Sequence, residues 1–143
     1  MKKQLRYFLI ALIVLYSLQG CNSKHPKKED FIGNWMSQDG GQIQFKNDGT
    51  FMAKELDSEK IFGSLEQEYN KKFTASGTWA YENKDGEATL PIVFNRSVKS
   101  SGKYFMTLNI MGERGIADNK PPWYLYVWVG DPDDMNKYEF KKK

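Results

Sequence analysis

The sequence predicts an all-β, mainly antiparallel domain of about eight strands in meander order, closed as a barrel or strongly curled, with one short helix. Three observations lead there. Segments such as Gln42 to Lys46 and Tyr104 to Ile110 alternate polar and apolar residues with a period of two, the mark of half-buried strands. Asp-Gly and Gly-Gly pairs between such segments supply the positive φ that tight hairpin turns need. The span from Phe31 to Phe140 is about 110 residues, the size of one small domain with one core.

Gly33-Asn34-Trp35-Met36-Ser37 reads as the first strand, turned by Gln38-Asp39-Gly40-Gly41 into Gln42 to Lys46. Asp48-Gly49 then turns the chain into Thr50 to Ala53. Asp57 to Phe73 breaks the pattern. Ile61, Phe62, Leu65 and Tyr69 suit one face of a helix, Ser58 is available as its cap, and Gly63 opposes helix, so a short helix or irregular crossover is expected. Strands resume at Gly77 to Tyr81, and after the Lys84-Asp85-Gly86 turn Leu90, Ile92 and Phe94 share one face of the next. Pro91 lacks an N–H, which predicts an edge strand or a local bulge there. Beyond Lys99 to Gly102, Tyr104, Met106, Leu108 and Ile110 line one face, and Trp123 to Val129 and Tyr138 to Phe140 complete the meander.

Gly33-Asn34-Trp35 and Gly77-Thr78-Trp79 each open a strand as Gly-x-Trp, and Phe45-Lys46-Asn47-Asp48-Gly49-Thr50-Phe51 forms the hairpin between them. With these motifs the domain resembles the small lipocalin-like lipoproteins of bacteria. The resemblance implies an antiparallel barrel whose closed end is crossed by the indole of Trp35. The chain departs from the family in having no disulfide pair and in placing its helix mid-chain. The residues are also intelligible without the family: Gly permits close backbone approach at a strand start, while Trp fills a wide barrel end and its N–H seeks a carbonyl. Gly33, Trp35, Gly77 and Trp79 are therefore structural candidates, with ligand stacking by the indoles as the other reading.

At the amino terminus Lys2, Lys3 and Arg6 precede the apolar stretch Tyr7 to Leu18, the charged and apolar regions of a secretory signal. That stretch is shorter than the roughly 20 residues a membrane span needs. Leu18-Gln19-Gly20-Cys21 resembles the lipobox of bacterial lipoproteins, although Gln19 stands where a small or aliphatic residue is usual. The resemblance implies a diacylglycerol on the Cys21 thiol, cleavage before it, and an acyl chain on the new amino terminus. Those covalent lipids, with no other cofactor, would tether the protein to a membrane, since each buried methylene contributes about 0.8 kcal/mol. Cys21 is the single cysteine and has no partner for a disulfide. The chain thus divides into a signal peptide (1–20), an acylated cysteine with a polar, flexible linker (21–30) and the β domain (31–143). In Gram-negative lipoproteins an Asp after the cysteine favours inner-membrane retention; Asn22 points instead to the periplasmic face of the outer membrane.

The formal charge of +3 belongs to the signal peptide: removing Lys2, Lys3 and Arg6 from 21 basic residues leaves 18 against 18 acidic ones. A neutral domain gives no electrostatic warrant for nucleic-acid binding. The one histidine, His25, falls in the linker and no cysteine lies in the domain, so Ser–His and Cys–His nucleophile pairs and His or Cys zinc sites are excluded there. Glu82, Glu87, Glu113 and Asp118 have no spacing that pairs them for acid–base chemistry, and no Gly-rich loop joins a strand to a helix. A non-enzymatic protein is expected.

The candidate binding site is Trp123 to Asp134. On a strand, Trp123, Leu125, Val127 and Val129 face one side and Tyr124, Tyr126 and Trp128 the other, leaving no polar face. Either the second row is covered by the Asp57 to Phe73 segment or a loop, or Tyr124, Tyr126 and Trp128 form an exposed binding row. Asp131, Asp133 and Asp134 would then be its polar rim, suited to a basic partner. Counting from Asp131 puts Met135 at the fifth position with no Gly after it, which does not match an EF-hand loop, so no metal is expected and the acids read as a turn. Two functions follow. One is a lipid-anchored, lipocalin-like module taking a small apolar ligand in a cavity lined by Phe51, Tyr81, Met106 and Leu108. The other is an immunity or inhibitor protein with an occluded core, binding a periplasm-acting toxin or enzyme through the aromatic strip.

Overall fold

The computed structural model describes residues 25–63, 72–95, 103–114 and 119–143. The signal region with Cys21, the helical positions Leu65 and Tyr69, the Lys99 to Gly102 turn and Asp118 lie outside them. The strands are β1 (Gly33–Ser37), β2 (Gln42–Phe45), β3 (Thr50–Asp57), β4 (Lys72–Trp79), β5 (Glu82–Lys84), β6 (Glu87–Asn95), β7 (Tyr104–Arg114), β8 (Asn119–Trp128) and β9 (Lys137–Lys142). Two short helices, α1 (Lys28–Phe31) and α2 (Ser58–Phe62), and a 3-10 turn at Pro132–Asp134 complete it.

All strand pairs are antiparallel and follow the meander, and two pairings close the ring: β9 with β1, and β4 with β6. The result is an eight-stranded barrel in which β5 continues β4 in the same register along β6. Closure removes the edges that an open sheet leaves unpaired. Alternation along each strand puts Ile43, Phe45, Phe51, Leu90, Leu108 and Leu125 inside one core cluster, at most 1% exposed. Each such side chain contributes about 1.5–3 kcal/mol when fully buried, which lets the domain fold without a disulfide.

Three details differ from expectation. α2 is capped by Asp57 rather than Ser58: the Asp57 carboxylate accepts from the Glu59 and Lys60 N–H groups at 3.1 and 3.3 Å. Carboxylates suit this position because the first N–H groups of a helix have no internal acceptor. Pro91 is on neither an edge nor a bulge; it pairs with Thr107 inside the closed sheet. The registers of β4 and β5 along β6 run on without a shift, which sets Pro91 opposite Ala80. The Pro91 carbonyl accepts from Ala80 N–H at 3.0 Å, but the return bond of that pair is missing for want of a donor, and the ladder breaks there between Trp79–Ile92 and Glu82–Thr89. Finally, β4 begins at Lys72 and β8 at Asn119, each several residues before the pattern that announced it.

The two Gly-x-Trp motifs occupy the same barrel end for different backbone reasons. Gly33 has φ +124°, open only to glycine in practice, whereas a Cβ on Gly77 would overlap the Val93 carbonyl and the Phe51 ring. Both indoles are buried and both find the carbonyl that buried Trp seeks: Trp35 donates to Phe31 O at 2.8 Å and Trp79 to Lys46 O at 2.9 Å. α1 lies across this end. Phe31 is fully buried and stacks on Trp35 and Tyr81, with centroids 6.0 and 5.9 Å apart, and the Tyr81 hydroxyl donates to Pro26 O. The polar segment ahead of the domain is therefore docked on the barrel from Pro26 onward.

Candidate functional site

β8 shows how the aromatic strand is used. Trp123, Leu125 and Val127 enter the core, while Tyr124, Tyr126 and Trp128 lie half-buried on the outer wall. α2 does not cover them: Ile61 and Phe62 seal the barrel end opposite α1, Phe62 packing against Phe73, Phe94 and Tyr104 at 5.1, 6.0 and 4.5 Å. The cover comes from β9 instead. Register places Tyr124, Tyr126 and Trp128 opposite Lys141, Glu139 and Lys137 on one face. Lys137 Nζ sits 4.5 Å from the Tyr126 ring centre, 4.9 Å from that of Trp128 and 3.7 Å from Met111 Sδ, and Lys141 Nζ 5.3 Å from the Tyr124 ring. Tyr126 and Trp128 meet edge to face at 5.2 Å. Alternation in Lys137-Tyr138-Glu139-Phe140-Lys141 puts the two lysines outward and Tyr138 and Phe140 inward.

Asp131, Asp133 and Asp134 follow the end of β8 and are exposed. Asp131 caps the 3-10 turn by accepting from Asp133 N–H at 3.0 Å, which agrees with a turn. Among the described residues no group of three or more His, Cys, Asp or Glu side chains is placed to hold a metal ion. Nor is any helix among them long and apolar enough to cross a membrane. Glu82 is ion-paired with Lys84 at 2.9 Å.

One cluster was not anticipated. In the β1–β2 turn, Asp39 Oδ1 lies 2.5 Å from Ser37 Oγ and 3.0 Å from the Tyr138 hydroxyl, and Oδ2 lies 2.8 Å from Lys72 Nζ and 3.2 Å from Lys60 Nζ. Burial works to raise its carboxyl, but the hydrogen bonds from Lys72, Ser37, Tyr138 and Lys60 together outweigh it and hold it well below the usual carboxylate range. Burial, with the Asp39 carboxylate alongside, pushes the Tyr138 phenol up to about 12. Each Asp39 oxygen already has two donors, so the arrangement fastens α2 and β4 to the barrel end rather than presenting a base to a substrate. Beside it runs a surface groove of about 770 Å³ over β1 and β9, from Met36 and Gln38 to Lys143.

Comparison of the chain with protein-family models, with curated proteins and with solved structures gives no match.

Proposed function

We propose that this chain is a membrane-tethered periplasmic lipoprotein, acylated at Cys21, whose barrel is a non-enzymatic binding module working through its outer wall. The observation that carries this reading is the filled interior. Phe51 and Leu108, two of the four residues that would line a ligand cavity, are at most 1% exposed within the core, and a third, Tyr81, is stacked on Phe31 and tied to Pro26. A core packed by aromatic side chains leaves specific binding to the surface, where Tyr and Trp dominate binding energy. A protein partner, of the kind an immunity or inhibitor protein neutralises, is therefore favoured over a small apolar ligand. With the acyl chains on Cys21, the tether would reach the described domain through His25, ahead of α1, which favours an orientation in which the α2 end and Trp128 face away from the membrane.

The test uses the full chain purified in detergent. Mass spectrometry should find acyl mass on Cys21 and no stoichiometric non-covalent lipid. A Tyr126→Ser, Trp128→Ser variant should remain folded by near-UV circular dichroism and lose its partner. A tightly held apolar molecule inside the barrel would sink the outer-wall reading, as would unfolding of the double variant.

A further inference from the structure

The outer wall of β8 and β9 carries a charge that the neutral composition hides. Lys137, Lys141 and Lys143 contribute to the groove beside the aromatic row, together with Lys60 and Lys142, against only Asp39 and Glu139. Asp39 is already taken by Lys60 and Lys72, and Lys142 donates to Asp30 O at 2.7 Å. Among the described residues, none of Lys137, Lys141 and Lys143 forms an ion pair. Two of these ammonium groups lie over the Tyr124, Tyr126 and Trp128 rings, contacts worth about 0.5–1 kcal/mol at exposed sites, which position a cation without neutralising it.

We infer that this face docks an acidic protein segment, whose carboxylates pair with Lys137, Lys141 and Lys143 while its apolar side chains cover Tyr124, Tyr126 and Trp128. The inference rests on the outer-wall reading above and adds the chemistry of the partner. Charge complementarity decides the sign. A basic partner, the kind suited to Asp131, Asp133 and Asp134, would meet lysines wherever it touched the rings. A purely apolar one would strip water from ammonium groups without giving them a counter-charge, which is costly. An acidic segment supplies charge-assisted hydrogen bonds, and covering the rings strengthens the cation–π contacts already in place. The dimensions also fit. Four residue steps from Tyr124 to Trp128 span roughly 14 Å of strand, a compact aromatic centre with lysines as the polar rim.

Selection of a random dodecapeptide library displayed on phage against the full chain in detergent tests this directly. Enriched sequences should combine Asp or Glu with aromatic or aliphatic residues. Synthesised singly, they should bind about tenfold more weakly or worse to Lys137→Glu, Lys141→Glu and to Trp128→Ser, with near-UV circular dichroism unchanged. The charge-reversed variant should in turn enrich basic sequences. Enrichment of neutral or basic peptides on the unaltered chain, or no enrichment at all, overturns the acidic partner. So does polyglutamate binding as tightly as the selected peptides, because the rings would then play no part. Stronger binding of phosphatidylglycerol vesicles than of any peptide assigns the face to a lipid surface instead. Neutral or basic peptides that still depend on Trp128 would leave the outer-wall reading standing while removing this inference; a ligand found inside the barrel removes both.

Discussion

At one end of the barrel Phe31 is stacked on Trp35 and Tyr81, and the polar atoms there end on backbone carbonyls of Phe31, Lys46 and Pro26. At the other, α2 is held down by Phe62 among its aromatic neighbours and by Asp39 bridging Lys60, Lys72, Ser37 and Tyr138. The first end is fixed mainly by apolar burial and neutral hydrogen bonds, which respond little to pH or salt; its charged contacts are Lys142, which donates to Asp30 O at 2.7 Å and lies over the Trp35 ring, and Lys28 over the Trp79 ring. The second adds titrating and charged groups near the surface, where fastening depends on both. A barrel closed in these two ways should loosen first at α2 when pH or salt changes, while the α1 end stays shut.

The largest expected effect comes from breaking the neutral end. Trp35→Ala removes a side chain that is 1% exposed, together with its hydrogen bond to Phe31 O, and should cost about 3–5 kcal/mol in urea unfolding, the range for deleting large buried aromatics. The loss should be the same at low and high salt. A cost below about 1 kcal/mol would mean that α1 and the Gly-x-Trp motif do not close the barrel.

The charged end should show itself at alkaline pH. Tyr138 is raised from 10.0 to about 12 in the folded protein. Its contribution is fully present below the unfolded value, and it is lost as pH rises through the folded one, because between them the unfolded chain has already released the proton that the folded chain keeps. Stability should therefore fall between pH 10 and 12 by on the order of 2–3 kcal/mol from this group. Tyr138→Phe should flatten that decline, and urea unfolding at a series of pH values would reveal it. An unchanged slope in the variant would assign the alkaline loss to other groups.

The contrast between the ends was half legible in the sequence. The indoles of Trp35 and Trp79 could be placed because Gly-x-Trp joins a local backbone need to a large apolar side chain, and both are encoded within three residues. Alternation in β2, β7 and β8 likewise reports the core directly. Asp39 read only as a turn residue, because its partners Lys60, Lys72 and Tyr138 stand 21, 33 and 99 positions away and come together only on closure of the barrel. The lysines over β8 were hidden in the same way. Lys137 and Lys141 lie on the last strand, and only the register of β8 with β9 puts them over the rings. Pro91 was misread because a closed sheet can absorb a single lost ladder bond, here between Pro91 and Ala80, and whether flanking pairs carry the strand across such a break has no local sequence sign.

The smallest expected effect separates a fastening from a foundation. Lys72 Nζ bonds both Asp39 Oδ2 at 2.8 Å and the Asp39 carbonyl at 3.3 Å, yet the two side chains remain 31% and 26% exposed, and Lys60 stays on the same carboxylate when Lys72 is removed. Pairs of this exposure are typically worth about 0.2–1 kcal/mol. Lys72→Met should cost no more than that, and the difference should fade near 1 M salt, where screening acts over about 3 Å. The acid side gives an independent reading. Asp39 is held low in the folded chain, so its contribution is present above the ordinary carboxylate value near 3.9 and is lost as pH falls through the lower folded one. With Lys72 gone the folded value rises towards the unfolded one, and the acid decline should become shallower. A cost matching that of Trp35→Ala, or one indifferent to salt, would show that the α2 end depends on Asp39 as fully as the other end depends on its aromatic stack.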